Sequence, residues 1–401
     1  MRVSRTLFLL LFFSFFFQQF WLSGLSSPIK PYMIASILGL IYVMMLFPLT
    51  IKIHTPLYTP MVVFFFIYMS VTILWAENQD IAYIRIVGIA MLILTYTMLS
   101  VLYSRISHKS LEKVIFRFSY LYLFSSLIYY FIGIYLIYFY GVELGDERKL
   151  LGLYLEGKLP RMRAFTDSPN NFILVLLCIF YFNLILREKV PKIFYGMLIV
   201  CLLCTFSVTG YISFIIPLIA IIIFQPLKVK AIVIIIFSGV FLTLYFLYIE
   251  NNSFAAMVDT RLFRISTGSG RFDLFEYILL SIKSPFIGEG ISQTKVLLES
   301  YGSAGLQSTH NSFLEILYEG GILGLTLFIF CWLFFMIYVS SLNNITKENK
   351  IYLLSYLLSL LVISSANMMV YVELMIFNLF CLWMISNRLK YLTNVKLLSH
   401  S

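Results

Sequence analysis

The feature that most constrains this chain is a recurrence. Along nearly all of its 401 residues it returns to stretches of mostly apolar residues, and about 20 such residues are what a helix needs to cross the hydrocarbon of a bilayer. Twelve stretches are read, at roughly 7–24, 32–48, 57–76, 86–103, 117–140, 171–187, 193–208, 210–225, 229–249, 313–340, 351–367 and 371–386. Lipid offers backbone N–H and C=O groups no partners, so each stretch is predicted to be a helix. With 61% hydrophobic and 12% charged residues, the expected class is an all-α integral membrane protein of about 12 transmembrane helices, one polytopic domain over 1–401. The first stretch follows Arg2 and Arg5 in the manner of a signal sequence. Eleven more apolar stretches follow it, so it is expected to remain as the first helix.

The net charge of +10 is explained by orientation rather than by nucleic acid. With the N-terminus inside, cytoplasmic segments hold 17 of the 29 Lys and Arg, among them Arg105, Lys113, Arg187, Lys192 and Arg388. The remaining positive residues fall almost entirely in two long outer connections, about 141–170 and 250–312, which the positive-inside rule does not govern. Both termini are then cytoplasmic. Long connections in compact proteins carry function or disorder. In the second, Phe272, Phe275, Ile278, Leu279 and Ile282 recur at helical spacing within Arg271–Lys283, ahead of Pro285. A short amphipathic helix at the outer surface is expected there. All five cysteines lie in apolar stretches, and the Cys201/Cys204 pair reads as packing.

Of four histidines, His310 alone falls on the outer side. It precedes Asn311 and Ser312-Phe313-Leu314-Glu315, a capping-box pattern that opens the tenth stretch. Next to a helix N-terminus a neutral imidazole is favoured, and a neutral imidazole is a general base towards a hydroxyl. The structural alternative is a helix-start residue bonded to a loop carbonyl, with Glu315 serving as the cap. Arg161 and Arg163 precede Asp167-Ser168-Pro169, a predicted N-cap with proline in the first turn. Arg261, Arg264 and Arg271 lie in the second connection. Guanidinium forks beside helix N-termini suit phosphate; the alternative partners are lipid headgroups and the carboxylates Asp259 and Asp273. Gly320 and Gly324 read as a site of close helix approach.

The absences also bear on class. The sequence has no P-loop, no HExxH and no DxD pair among its five aspartates, so a bound anion is expected to be balanced by arginine rather than by metal. Charges within the spans are few (Glu315, Glu319 and Glu373), which weighs against an ion-coupled transporter.

His310-Asn311, nine residues, then Gly321-Ile322-Leu323-Gly324 resembles the signature of the O-antigen ligase and polysaccharide polymerase superfamily. Ser269-Gly270-Arg271 followed by Lys283-Ser284-Pro285-Phe286-Ile287-Gly288-Glu289-Gly290 is similar to that family's arginine, helix and Pro-x-x-Gly-x-Gly turn. Arg163-Ala164-Phe165 with Pro169-Asn170 is similar to its earlier outer-loop motif. The resemblance runs from about 160 to 325 in the family's order. It implies a type C-like fold in a bacterial inner membrane, with the active site facing the periplasm. It also implies metal-independent, inverting glycosyl transfer without a cofactor, from a glycan on undecaprenyl diphosphate. On this resemblance His310 is the catalytic base, supported by Asn311 and Glu315, and Arg271, Arg163, Arg161 and Arg264 are the candidate diphosphate ligands.

Ligases of the family carry an arginine at a short outer turn that here reads Ser207-Val208-Thr209-Gly210-Tyr211, and position 325 is Leu325. Both departures favour a polymerase of repeat units for O-antigen or capsule. The alternatives are a ligase delivering polymer to lipid A core and a flippase for lipid-linked glycan. The expected partners are the lipid-linked glycan, the bilayer and a chain-length regulator protein, with no nucleic acid.

Overall fold

The computed structural model describes the chain except residues 1, 21–28, 46–57, 107, 143–147, 157–158, 188, 251–254, 256–258, 260–270, 301–308, 344 and 401. Each of the twelve apolar stretches carries a helix. In the first half these are α1 (Arg2–Ser14), α2 (Pro31–Met45), α3 (Thr59–Val71) continued by a 3-10 turn (Thr72–Trp75), α4 (Gln79–Tyr103), α5 (His108–Tyr140) and α6 (Pro169–Leu186). Then come α7 (Lys192–Cys204), α8 (Val208–Phe224) and α9 (Leu227–Glu250). Two short helices follow, α10 (Arg271–Leu280) and α11 (Gln293–Ser300), and the chain closes on α12 (Ser312–Ser340), α13 (Lys347–Ala366) and α14 (Glu373–His400). Among the described residues, five helices (α4, α5, α6, α12 and α13) are long and apolar enough to cross a membrane, and five others are shorter and apolar. This is the build of a multi-pass membrane protein.

Because lipid is as apolar as leucine, such helices associate through close packing and hydrogen bonds rather than hydrophobic exclusion. The aromatic side chains do much of this. Phe377 of α14 receives Phe12 of α1 at 4.9 Å and Phe15, just beyond α1, at 4.6 Å between ring centres. Tyr181 of α6 stacks on Tyr356 of α13 at 4.4 Å. Helix α8 runs along α13, and α3 runs along α12. The α3–α12 contact is where the small residues matter, since Met69 and Tyr68 press on Gly320 and Gly324.

Two expectations need amendment. The all-α class omits a small antiparallel meander in the first long connection: β1 (Lys149–Leu150), β2 (Leu153–Glu156) and β3 (Leu159–Met162), with Tyr154 opposite Arg161. Pairing is the way a connection lying against α5 satisfies its backbone groups; Tyr130 of α5 donates to Pro160 O at 2.7 Å. The amphipathic helix also ends earlier than expected, at Leu280, and its inward face is shifted: Ile278, Phe275 and Ile282 face inward as expected, but Leu274 takes the place of Leu279. Leu274 and Ile278 are buried against Leu298, Leu314 and Tyr318, while Leu279 is exposed. The start of α12 and the small helix α11 supply the apolar surface that selects this face.

Candidate functional site

Polar groups gather at the helix ends on one end of the bundle. That end holds both long connections, and His310 lies there, half-buried, at the head of α12. Its backbone is left-handed, with φ 55°, a conformation few residues with a β-carbon adopt and one that clusters at functional sites. Thr309 and Asn311 hold it. The Thr309 hydroxyl donates to Asn311 O at 2.8 Å and accepts from Asn311 N at 3.1 Å, and the Asn311 side chain caps α12 by accepting from Phe313 N and Leu314 N.

This corrects the capping box. Asn311, not Ser312, is the N-cap, so Glu315 stands one position too far along to reach back to the cap. Ser312 instead ties α12 to the end of α13, donating to Asn367 O and accepting from Met369 N, both at 2.8 Å. Glu315 is buried, with Thr309 Oγ1 at 3.4 Å from its carboxylate.

One turn further along, Glu319 is fully buried and accepts from the Tyr371 hydroxyl at 3.2 Å. A cation bears on both carboxyls. Arg85 of α4 lies 4.6 Å from the Tyr371 ring centre, donates to Ser292 Oγ at 3.2 Å, and acts electrostatically on Glu315 and Glu319. The sequence reading missed Arg85, although a signal was present. It and Lys30 are the two cations that orientation by charge leaves on the outer side beyond the long connections.

Helix α12 breaks at Gly321, where φ is 63° and ψ −165°. The Pro285–Gly290 turn docks into the gap and takes over the freed backbone groups. Ile322 N donates to Pro285 O at 2.8 Å and Leu323 N to Phe286 O at 3.1 Å; Glu289 N and Gly290 N donate to Tyr318 O and Glu319 O at 2.8 and 2.9 Å. A β-carbon on Gly321 would lie 2.4 Å from Phe286 backbone atoms, and one on Gly288 would lie 2.4 Å from Glu319 C. The two motifs noted separately in the sequence are thus one joint.

The predicted arginines are placed differently from one another. Arg163 is buried and donates to Leu153 O and Thr166 O. Arg161 pairs with Glu156 at 2.7 Å and donates to Thr205 O at 2.9 Å, reaching the α7–α8 turn from β3. Arg271 starts α10, which packs on α12, but its side chain lies outside the described residues, as does all of Arg264. Ser168 is the N-cap of α6, accepting from Asn171 N at 3.2 Å, with Pro169 in the first turn, as expected. Among the described residues no group of His, Cys, Asp and Glu is arranged to hold a metal ion.

A second polar cluster lies at the same end. Lys30 Nζ contacts Asp167 at 2.8 Å and Glu373 at 2.5 Å, Gln18 donates to Glu373, and Asn171 donates to Gln18. Burial opposes the charge on Lys30, but Glu373 and Asp167 outweigh it, and the ammonium is held well above the ordinary lysine range.

Residues 193–329 match the family model described as O-Antigen ligase. The matched stretch takes in Arg271, the 285–290 turn, His310 and the Gly321 break. A ComP-specific O-oligosaccharyltransferase from Acinetobacter baylyi is 29% identical to this chain over 207 residues, covering 46% of this chain and 37% of that protein. The chain therefore spans little more than a third of that relative. The motif order, the family match and this relative point the same way: residues 193–329 carry the O-antigen ligase family's domain.

Proposed function

We propose that the chain joins repeat units carried on undecaprenyl diphosphate into O-antigen or capsular polysaccharide at the periplasmic face. His310 accepts the proton of an acceptor hydroxyl. That oxygen attacks the anomeric carbon from the face opposite the carrier, and the C–O bond to the diphosphate breaks with inversion. Arg271, at the start of a helix docked on α12, is assigned to the departing diphosphate, with Arg264 as a second cation. Arg163 and Arg161, whose bonds run to carbonyls and Glu156, are assigned to shaping the first connection. The observation that carries the reading is the held, left-handed His310 within a matched region that also contains Arg271. His310→Ala should abolish polymer while the protein still inserts; normal polymer from that variant would remove the assignment.

Transfer of a finished glycan to a separate acceptor is the second reading, favoured by the oligosaccharyltransferase among its relatives. The polymerase reading is supported by Gly210, whose β-carbon would stand 2.4 Å from Ile173 Cδ1, so a longer side chain fits that turn only if Ile173 moves. A deletion strain decides between them. Single repeat units on the surface lipid mark a polymerase, and long polymer stranded on its carrier marks a transferase of finished chains.

A further inference from the structure

The joint at Gly321 also forms one wall of a cleft that the mechanism does not use. A cavity of about 470 Å³ opens between the end of α3, α10, α11 and α12. It is lined by Trp75 and Glu77 from the α3–α4 corner, Tyr277 of α10, Lys283 and Glu289 of the turn, and Tyr318 of α12. The walls are braced. Trp75 Nε1 donates to Gly288 O at 3.1 Å, and Gln293 clamps Asn78 by accepting from its N–H at 2.9 Å and donating to its carbonyl at 3.1 Å. Glu289 Oε1 accepts from Lys283 N and Ser284 N, both at 2.7 Å, which fixes that carboxylate. The charges of Glu77 and Glu289 both bear on the Tyr318 hydroxyl, so these groups converge on one space.

The chemistry of that lining is selective. Three aromatic rings offer flat apolar faces with polar edges, and the carboxylates accept strong hydrogen bonds from hydroxyls. Two carboxylates against one ammonium make the cleft net negative, so it repels phosphate and acidic sugars. Rings with apolar faces and many hydroxyls fit; anions do not. Tyr318 stands six residues beyond Ser312, the first residue of α12, about 9 Å along its axis, and His310 lies just ahead of the N-cap Asn311, within the reach of a short oligosaccharide.

We infer that this cleft is a saccharide subsite that holds uncharged or amino-bearing sugar units of the glycan while its reacting end lies at His310. The inference rests on the proposed glycosyl transfer for its ligand but not for its test. The full chain in lipid nanodiscs is titrated with oligosaccharide released by mild acid from the lipid carrier of the producing cells, and binding is read by saturation-transfer NMR. Wild type and His310→Ala should bind alike. Tyr277→Ala and Glu77→Gln should each weaken binding tenfold or more, Tyr277→Phe should retain it, and inorganic pyrophosphate should not compete. Glu77 is exposed, so its amide variant tests the cleft without disturbing a core. Absence of wild-type binding, unchanged affinity in both Tyr277→Ala and Glu77→Gln, or displacement by pyrophosphate would each overturn the subsite. Polymer made by His310→Ala would instead sink the catalytic assignment and leave the binding result standing.

Discussion

A left-handed backbone costs a residue with a β-carbon about 1–2 kcal/mol, so something must hold His310 there, and the Thr309 hydroxyl does so through both sides of Asn311. Thr309→Ser keeps that hydroxyl and Thr309→Ala removes it. If His310 is the base, the alanine variant should transfer glycan roughly a hundredfold more slowly, the scale of a one-ångström misplacement, while the serine variant stays near wild type. Single-turnover rates on lipid-linked glycan would separate the two. Gly321 and Gly288 make a complementary case in which space rather than a hydroxyl is required. Gly321→Ala meets both an unfavourable φ and the backbone of the docked turn, so it should lose at least ~2 kcal/mol of thermal stability in detergent. Gly88→Ala is the control. Nothing lies within 4 Å of its β-carbon, in the middle of α4, and alanine there should be neutral or stabilising by about 0.5–1 kcal/mol.

At the scale of elements, the apolar stretches were readable because the hydrocarbon length and backbone pairing leave few alternatives to a helix. The N-cap at Ser168 was readable because its chemistry is local. What escaped the sequence depended on a second element. The strand pair around Arg161 forms where that connection meets α5. One edge of the inward face of α10 was misplaced, Leu279 for Leu274, because periodicity marks an apolar stripe but not which edge of it meets α11 and α12. The break in α12 looked like helix packing alone, since Gly320 and Gly324 do receive α3 while Gly321 between them serves the docked turn. The α10 contact yields its own prediction. Ile278 is fully buried against Leu298, Leu314 and Tyr318, and Ile278→Ala should cost about 2–5 kcal/mol. If α10 is a separately released unit, that cost appears as faster hydrogen exchange over Arg271–Leu280, with little change in the main unfolding temperature of the bundle.

For the whole molecule, the question is what keeps helices distant in sequence in register at the loop-rich end. The apolar seams alone set no depth, because an apolar helix slides along an apolar neighbour at little cost. Lys30 supplies a fixed point, joining the start of α2 to the starts of α6 and α14 through Asp167 and Glu373, while Gln18 adds the segment after α1. Its side chain is 17% exposed, so the ions are largely removed from water. In such a site, loss of one partner strands the other charges at about 3–5 kcal/mol, whereas replacing the whole set by neutral groups of similar shape costs far less. Lys30→Met should therefore lower the thermal unfolding temperature strongly, and Lys30→Met combined with Asp167→Asn and Glu373→Gln should recover most of the loss. The pH dependence has a definite sign. The raised Lys30 pKa contributes stability in full below the ordinary lysine range, and that contribution fades only as pH climbs through the higher folded value. Between pH 6 and 9 the lysine itself should impose no slope, so the difference in unfolding temperature between wild type and the triple variant should stay constant there. A gap that closed steadily as pH rose through this window would show that the ammonium loses its proton early, and the cluster would not be the ion-paired anchor its distances describe.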